Sequence, residues 1–170
     1  MQLLVIRHAI AEDREEFAVT GLQDDLRPLT REGRRRMRRA AGGLRRIVPE
    51  LGVLASSPLA RAAQTAEILA GEYGLARWDT WPELAPGVHP SMLVDRLRSL
   101  HVEGGPVAVV GHEPDLGELA SWLFCGSTQS FVELKKGAAC LLEFEGPPDP
   151  DRARLVWLLA PGHLRRLRED

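Results

Sequence analysis

Short apolar runs alternate with longer amphipathic stretches through most of this chain. Leu3–Ile6, Val53–Ser57 and Val107–Val110 are brief, rich in β-branched or aliphatic residues, and bounded by polar or turn residues, which is the pattern of buried strands. Trp78–Trp81 reads as a further short strand. Between them lie segments with helical spacing. Thr30 caps a helix running through TREGRRRMRRAAGGLRRIV, with Met37, Leu44, Ile47 and Val48 as its apolar stripe. Gly42 and Gly43 inside it weaken the helix or admit a close neighbour. After Pro58, LARAAQTAEILAGEYG places Leu59, Ala62, Ala63, Ala66, Leu69 and Ala70 on one face, and Gly74 ends the helix. Pro90–Leu100 and Asp115–Phe124 read as two more helices.

The last apolar runs, AACLLEFE and RLVWLLAP, flank the turn-rich GPPDPD and predict an antiparallel strand pair. Strand–helix alternation before them predicts an α/β fold of three α/β/α layers, its central sheet mostly parallel. Ala9–Pro28 lacks periodicity and reads as a long loop or lid. At 170 residues, without a repeat or a linker, residues 1–170 are expected to form one domain.

Composition narrows the partners. A net charge of −2 argues against generic nucleic-acid binding. No run approaches the roughly 20 apolar residues of a membrane-spanning helix. No basic flank precedes the N-terminal apolar run and Arg7 soon interrupts it, so a cytoplasmic chain without a signal peptide is expected. Cys125 and Cys140 have no metal or redox spacing and are expected to be reduced.

One join resists a purely structural reading. The dry strand Leu3–Ile6 runs directly into Arg7, a permanent cation, and His8. The same arrangement recurs: Arg61 lies one turn into the helix after the second strand, and His112 follows VAVVG. In an open α/β sheet the carboxyl ends of parallel strands border the ligand crevice, so these distant residues can converge there. Two arginines and two histidines suit a phosphoryl group. Guanidinium forks match phosphate oxygens, a neutral imidazole can attack phosphorus, and a protonated one stabilises the equatorial oxygens. No metal or other cofactor is required.

LVIRHAIAE, SSPLARAAQTAEIL, WPELAP and VAVVGHEPDL resemble, in order, the successive blocks of the histidine phosphatase superfamily, also called phosphoglycerate mutase-like. The short length and the RPLTREG block are similar to its small SixA-type branch. The resemblance spans nearly all of residues 1–124 and fades over the final strand pair. It implies that His8 is the phosphorylated nucleophile, that Arg7 and Arg61 clamp the phosphoryl oxygens, and that His112 is the second pocket histidine. Ala9 departs from the family's commoner Arg-His-Gly. Larger members place a proton-donating acid where Glu83 and Glu113 roughly stand, and Glu83 is the candidate favoured here. A P–N bond needs less help from such an acid than an alkyl ester does.

The expected activity is a metal-independent phosphatase, acting on phosphohistidine in a signalling or phosphotransfer protein, with a monomer favoured. A small phosphorylated metabolite is the alternative substrate, and a non-catalytic phosphoprotein-binding module the alternative function. Gln64 and Thr65 are expected to face inward, and Ser57 to cap the helix that follows it, with presentation of its hydroxyl or amide to phosphate as the alternative. The arginines from Arg31 to Arg46 read as a solvated face that can also meet an acidic partner. The acidic stretch Glu12–Glu16 likewise reads as a solvated loop.

Overall fold

The computed structural model describes residues 1–102 and 104–168. Among the described residues, β1 (Gln2–Arg7), β2 (Val53–Ser56), β3 (Asp79–Thr80), β4 (Val107–Gly111), β5 (Ala139–Glu143) and β6 (Arg154–Leu159) form one sheet, in the order β3-β2-β4-β1-β5-β6. Strands β1 to β4 are mutually parallel, β5 is antiparallel to β1, and β6 is antiparallel to β5. The expected mostly parallel sheet with a terminal antiparallel pair is therefore present. Trp78–Trp81 contributes only the two residues of β3.

Alternation along the central strands separates two apolar layers, because successive side chains leave a strand on opposite faces. Leu4, Ile6, Ala108 and Val110 pack on one face, against α2 (Arg31–Ile47), α3 (Ala60–Tyr73) and α6 (Pro161–Leu167). Leu3, Val5, Val107 and Val109 pack on the other, against α4 (Pro90–Ser99) and α5 (Asp115–Cys125). No helix among the described residues is long and apolar enough to cross a membrane. Cys125 and Cys140 are free thiols, and burial pushes that of Cys140 up to about 12.

Three expectations change in detail. The segment Ala9–Pro28 is organised rather than irregular. Asp13 caps the short helix α1 (Arg14–Ala18), accepting from the Glu15 amide at 2.8 Å, while Phe17 is buried beneath it and Asp24–Leu26 forms a 3₁₀ turn. A bridge between Ala11 and Leu29 closes the segment's base. One turn of helix is too short to show periodicity, so only the cap chemistry of Asp13 marked it in the sequence. The second change is in α2, whose buried face is Gly33, Met37, Ala40, Ala41 and Leu44, with Ile47 exposed. The third is α6, a helix where the pattern predicts none. It packs against the two glycines of α2.

Candidate active site

The parallel register sets the site before any side chain is considered. Arg7 lies opposite Gly111 and Ser56 opposite Val110, so β1, β4 and β2 end level with one another. The ladder continues one step further, with the His8 amide donating to Gly111 O (3.0 Å) and the Ser57 amide to Val110 O (2.9 Å). That continuation sets His8, His112 and Ser57 side by side at the carboxyl edge. The two imidazoles stand 5.1 Å apart, centroid to centroid.

His8 and His112 are 6% and 3% exposed, and Arg61 is 6% exposed, so polar groups from three separate elements are buried together. His8 Nδ1 lies 2.7 Å from the Ala9 carbonyl. A carbonyl only accepts, so Nδ1 carries the proton and the lone pair of a neutral ring resides on Nε2. Burial lowers the His8 pKa to about 4, against the Ala9 hydrogen bond that raises it, with the charges of Arg61, Arg7 and Lys136 adding to the decrease. His112 falls to about 3, first through burial and then through His8, Arg61 and Arg7. Both rings are neutral at neutral pH. The charges of both guanidiniums thus bear on both rings.

Each guanidinium is only partly engaged. Arg7 Nη1 donates to Leu134 O (2.6 Å), and Arg61 Nη1 reaches the Asp24 carbonyl (3.1 Å) and carboxylate (3.3 Å). Arg7 Nε, Arg61 Nε and His112 Nδ1 are buried without partners. Buried polar nitrogens normally find partners, and leaving one unpaired costs about 1–3 kcal/mol. Three such nitrogens in one group of residues make a strong demand for an acceptor-rich ligand.

Supporting residues hold this group in place. Thr65 Oγ1 donates to Arg61 O (2.7 Å) and accepts from the Ala9 amide (3.1 Å), tying α3 to the backbone after His8. Gln64 Oε1 accepts from the Leu29 amide at 2.8 Å. Asp24 links Arg61 to Arg27, whose Nε lies 2.7 Å from its Oδ1. The structure corrects the reading of Ser57. Its hydroxyl sits 2.8 Å from His112 Nε2 and meets the Leu59 amide at only 3.3 Å, while Leu59, the cap residue of α3, provides no side-chain cap. The Ser57–His112 and Asp24–Arg61 pairs were not read from the sequence, since each joins residues far apart along the chain. The D-x-x-R spacing of Asp24 and Arg27 was a visible trace of the second.

Of the two candidate acids, Glu113 accepts from the Leu134 amide at 2.8 Å, and burial raises its pKa. Leu134 O in turn receives Arg7, so Glu113 braces the segment on which Arg7 rests. Glu83 lines a small cavity that His112 also lines. Its Oε1 accepts from Arg96 Nη1 (3.2 Å), the Arg96 guanidinium lies 4.6 Å from the Trp81 ring centroid, and Oε2 is buried without a partner.

Residues 3–86 match the model of the histidine phosphatase superfamily (branch 1), and the chain belongs to that superfamily. It is 36% identical over 141 residues to an uncharacterized protein of Picosynechococcus sp., covering 80% of this chain and 81% of that one. It is 28% identical over 167 residues to the phosphohistidine phosphatase SixA of Escherichia coli K12, covering 97% of each. The structure of the protein histidine phosphatase SixA complexed with tungstate superposes with a TM-score of 0.80 at 26% identity, covering 96% of this chain and 99% of that one. The fold is the phosphoglycerate mutase-like fold of SixA, and family and fold together support a phosphatase.

Proposed function

We propose that the chain hydrolyses phosphohistidine on a protein, through a covalent phosphoryl intermediate on His8. The observation that carries this reading is the set of three buried, unpartnered nitrogens on Arg7, Arg61 and His112, beside an imidazole whose Nε2 lone pair is free. A phosphoryl group supplies acceptor oxygens for those nitrogens and an electrophile for that lone pair. His8 Nε2 attacks phosphorus, the P–N bond of the substrate breaks, and the departing imidazole nitrogen takes up a proton. Water then cleaves the phospho-His8 bond, releasing inorganic phosphate and restoring the neutral ring. Arg7 and Arg61 hold the equatorial oxygens in both steps, where charge accumulates. The dianion also favours a proton on His112, adding a third cationic donor. The similarity to SixA supports the choice of phosphohistidine. A panel of phosphohistidine protein, phosphoramidate and sugar phosphates, with His8→Ala as blank, tests the proposal. Hydrolysis of the P–N substrates is expected, and hydrolysis of sugar phosphates alone would overturn the substrate assignment.

The unpartnered Glu83 Oε2 beside the His112 cavity favours a second reading, a small phosphate ester whose leaving group needs an acid. Glu83→Gln separates the two. On phosphohistidine its rate should change by less than about 3-fold, whereas loss of a working general acid costs 10²-fold or more on an alkyl ester.

The depressed histidines also make a prediction for folding. Unfolded histidine titrates near 6.5, so below that pH the unfolded chain binds protons that the buried rings refuse until about 4 and about 3. Stability contributed by each ring is therefore full above 6.5 and falls as pH drops toward its folded value, with a limiting slope of ~1.4 kcal/mol per pH unit. Asp24, whose pKa is lowered chiefly by Arg27, loses stability at still lower pH, and Glu113 acts in the opposite sense. Melting temperature should thus rise with pH between 4 and 6.5 more steeply in the wild type than in His8→Asn/His112→Asn. Equal slopes would contradict the buried neutral rings.

A further inference from the structure

The arginines of α2 are not spread evenly around the site. Helices α2 and α6 carry ten arginines and a single acid, Glu32, in a chain whose net charge is −2. Where the two helices meet the segment after Leu134, they enclose a cavity of about 120 Å³. Ile10, Met37 and Pro161 give it an apolar floor, and Arg36, Lys136 and Arg165 supply its cations. The crowding bears on Arg165, whose pKa is lowered first by burial and then by the charges of Arg36 and Arg39.

The cavity adjoins the candidate active site. Ala9, next to His8, lines it, and so does Gly137, whose amide meets the carbonyls of Arg7 (3.2 Å) and His8 (3.1 Å). Lys136 stands close enough for its charge to depress His8. A phosphohistidine whose phosphoryl group lay between Arg7 and Arg61 would carry its flanking residues past this opening.

We propose that the α2–α6 face docks an acidic segment of the protein substrate beside its phosphohistidine, a carboxylate meeting Arg36 and Arg165 and an apolar side chain entering the cavity. This rests on the phosphohistidine reading above and adds the chemistry of the partner's surface. Charge complementarity selects an acidic occupant, and the apolar floor selects a peptide over a nucleic acid, which has no aliphatic side chain to place there. Arg36 donates from Nε to Glu32 at 2.6 Å, and its side chain is about half exposed.

The test uses two synthetic phosphohistidine peptides, one flanked by glutamate and leucine, the other with glutamine in place of glutamate, and phosphoramidate as a substrate too small to dock. Wild-type kcat/KM should favour the acidic peptide by about tenfold at low salt, since steering by complementary charge gives factors of 10–10³. High salt should erase that preference. Arg36→Gln/Arg165→Gln should abolish it while phosphoramidate hydrolysis stays within about twofold of wild type. Equal rates for the two peptides, or a preference that survives in the double variant, would overturn the docking face and leave the phosphatase assignment standing. Failure to hydrolyse either peptide or phosphoramidate would instead remove the activity assigned to His8. Docking is then read directly from fluorescence anisotropy of the unphosphorylated acidic peptide, which the wild type should bind more tightly than the double variant. Equal binding by both, or tighter binding of a labelled oligonucleotide, would sink it.

Discussion

Replacing His8 with alanine should lower turnover of phosphohistidine by about 10⁴-fold or more, the scale seen when a covalent nucleophile is removed from a site that otherwise remains intact. Phosphate binding should survive, because the unpartnered nitrogens belong to Arg7, Arg61 and His112 and not to the missing ring. Rapid quench with labelled substrate gives the sharper readout. The wild type should carry an acid-labile label on His8, and the variant none. Label on His112 would exchange the roles of the two rings. An unlabelled wild type that binds phosphate tightly and turns nothing over would identify a binding module.

The legible part of this fold was the part governed by local rules. The buried strands could be read because a run such as VAVV has no other stable home, and the residues that follow them could be read because parallel strands deliver their ends to one edge. Arg7, His8 and His112 were visible for that reason, and Arg61 because it opens the helix after such a strand. What escaped was whatever depends on two distant segments. Ser57 looked like a cap since its own neighbours offered that role, but the partner it meets is His112, on the adjacent strand. Asp24 looked like part of an acidic loop, yet its carboxylate is held by Arg27 and Arg61. Helix α6 was missed because seven residues, two of them arginine, give too short a period to detect. The clue to it lay elsewhere, in the paired glycines of α2.

Those glycines make the last prediction, in which one substitution has opposite signs at two positions. On helix propensity alone, glycine to alanine inside a helix gains about 1 kcal/mol. At Gly71, in α3, a Cβ would meet nothing within 4 Å, so Gly71→Ala should raise stability by roughly that amount. At Gly43 the new Cβ would lie 1.7 Å from the carbonyl oxygen of Leu164 and 3.2 Å from Leu167 Cβ. Both partners belong to α6, and the nearer is backbone, which no rotamer change can move. The helices must separate, and Leu164, 1% exposed and part of the same apolar layer as Met37 and Leu44, must lose its packing. Disrupting a buried leucine costs roughly 2–5 kcal/mol, which outweighs the propensity gain. Gly43→Ala should therefore unfold at lower denaturant than the wild type while Gly71→Ala unfolds at higher. Because α6 also closes the basic cavity beside His8, Gly43→Ala should weaken acidic-peptide binding under conditions where it is still folded. A Gly43→Ala chain as stable as Gly71→Ala would mean that α6 does not pack on α2 through these glycines.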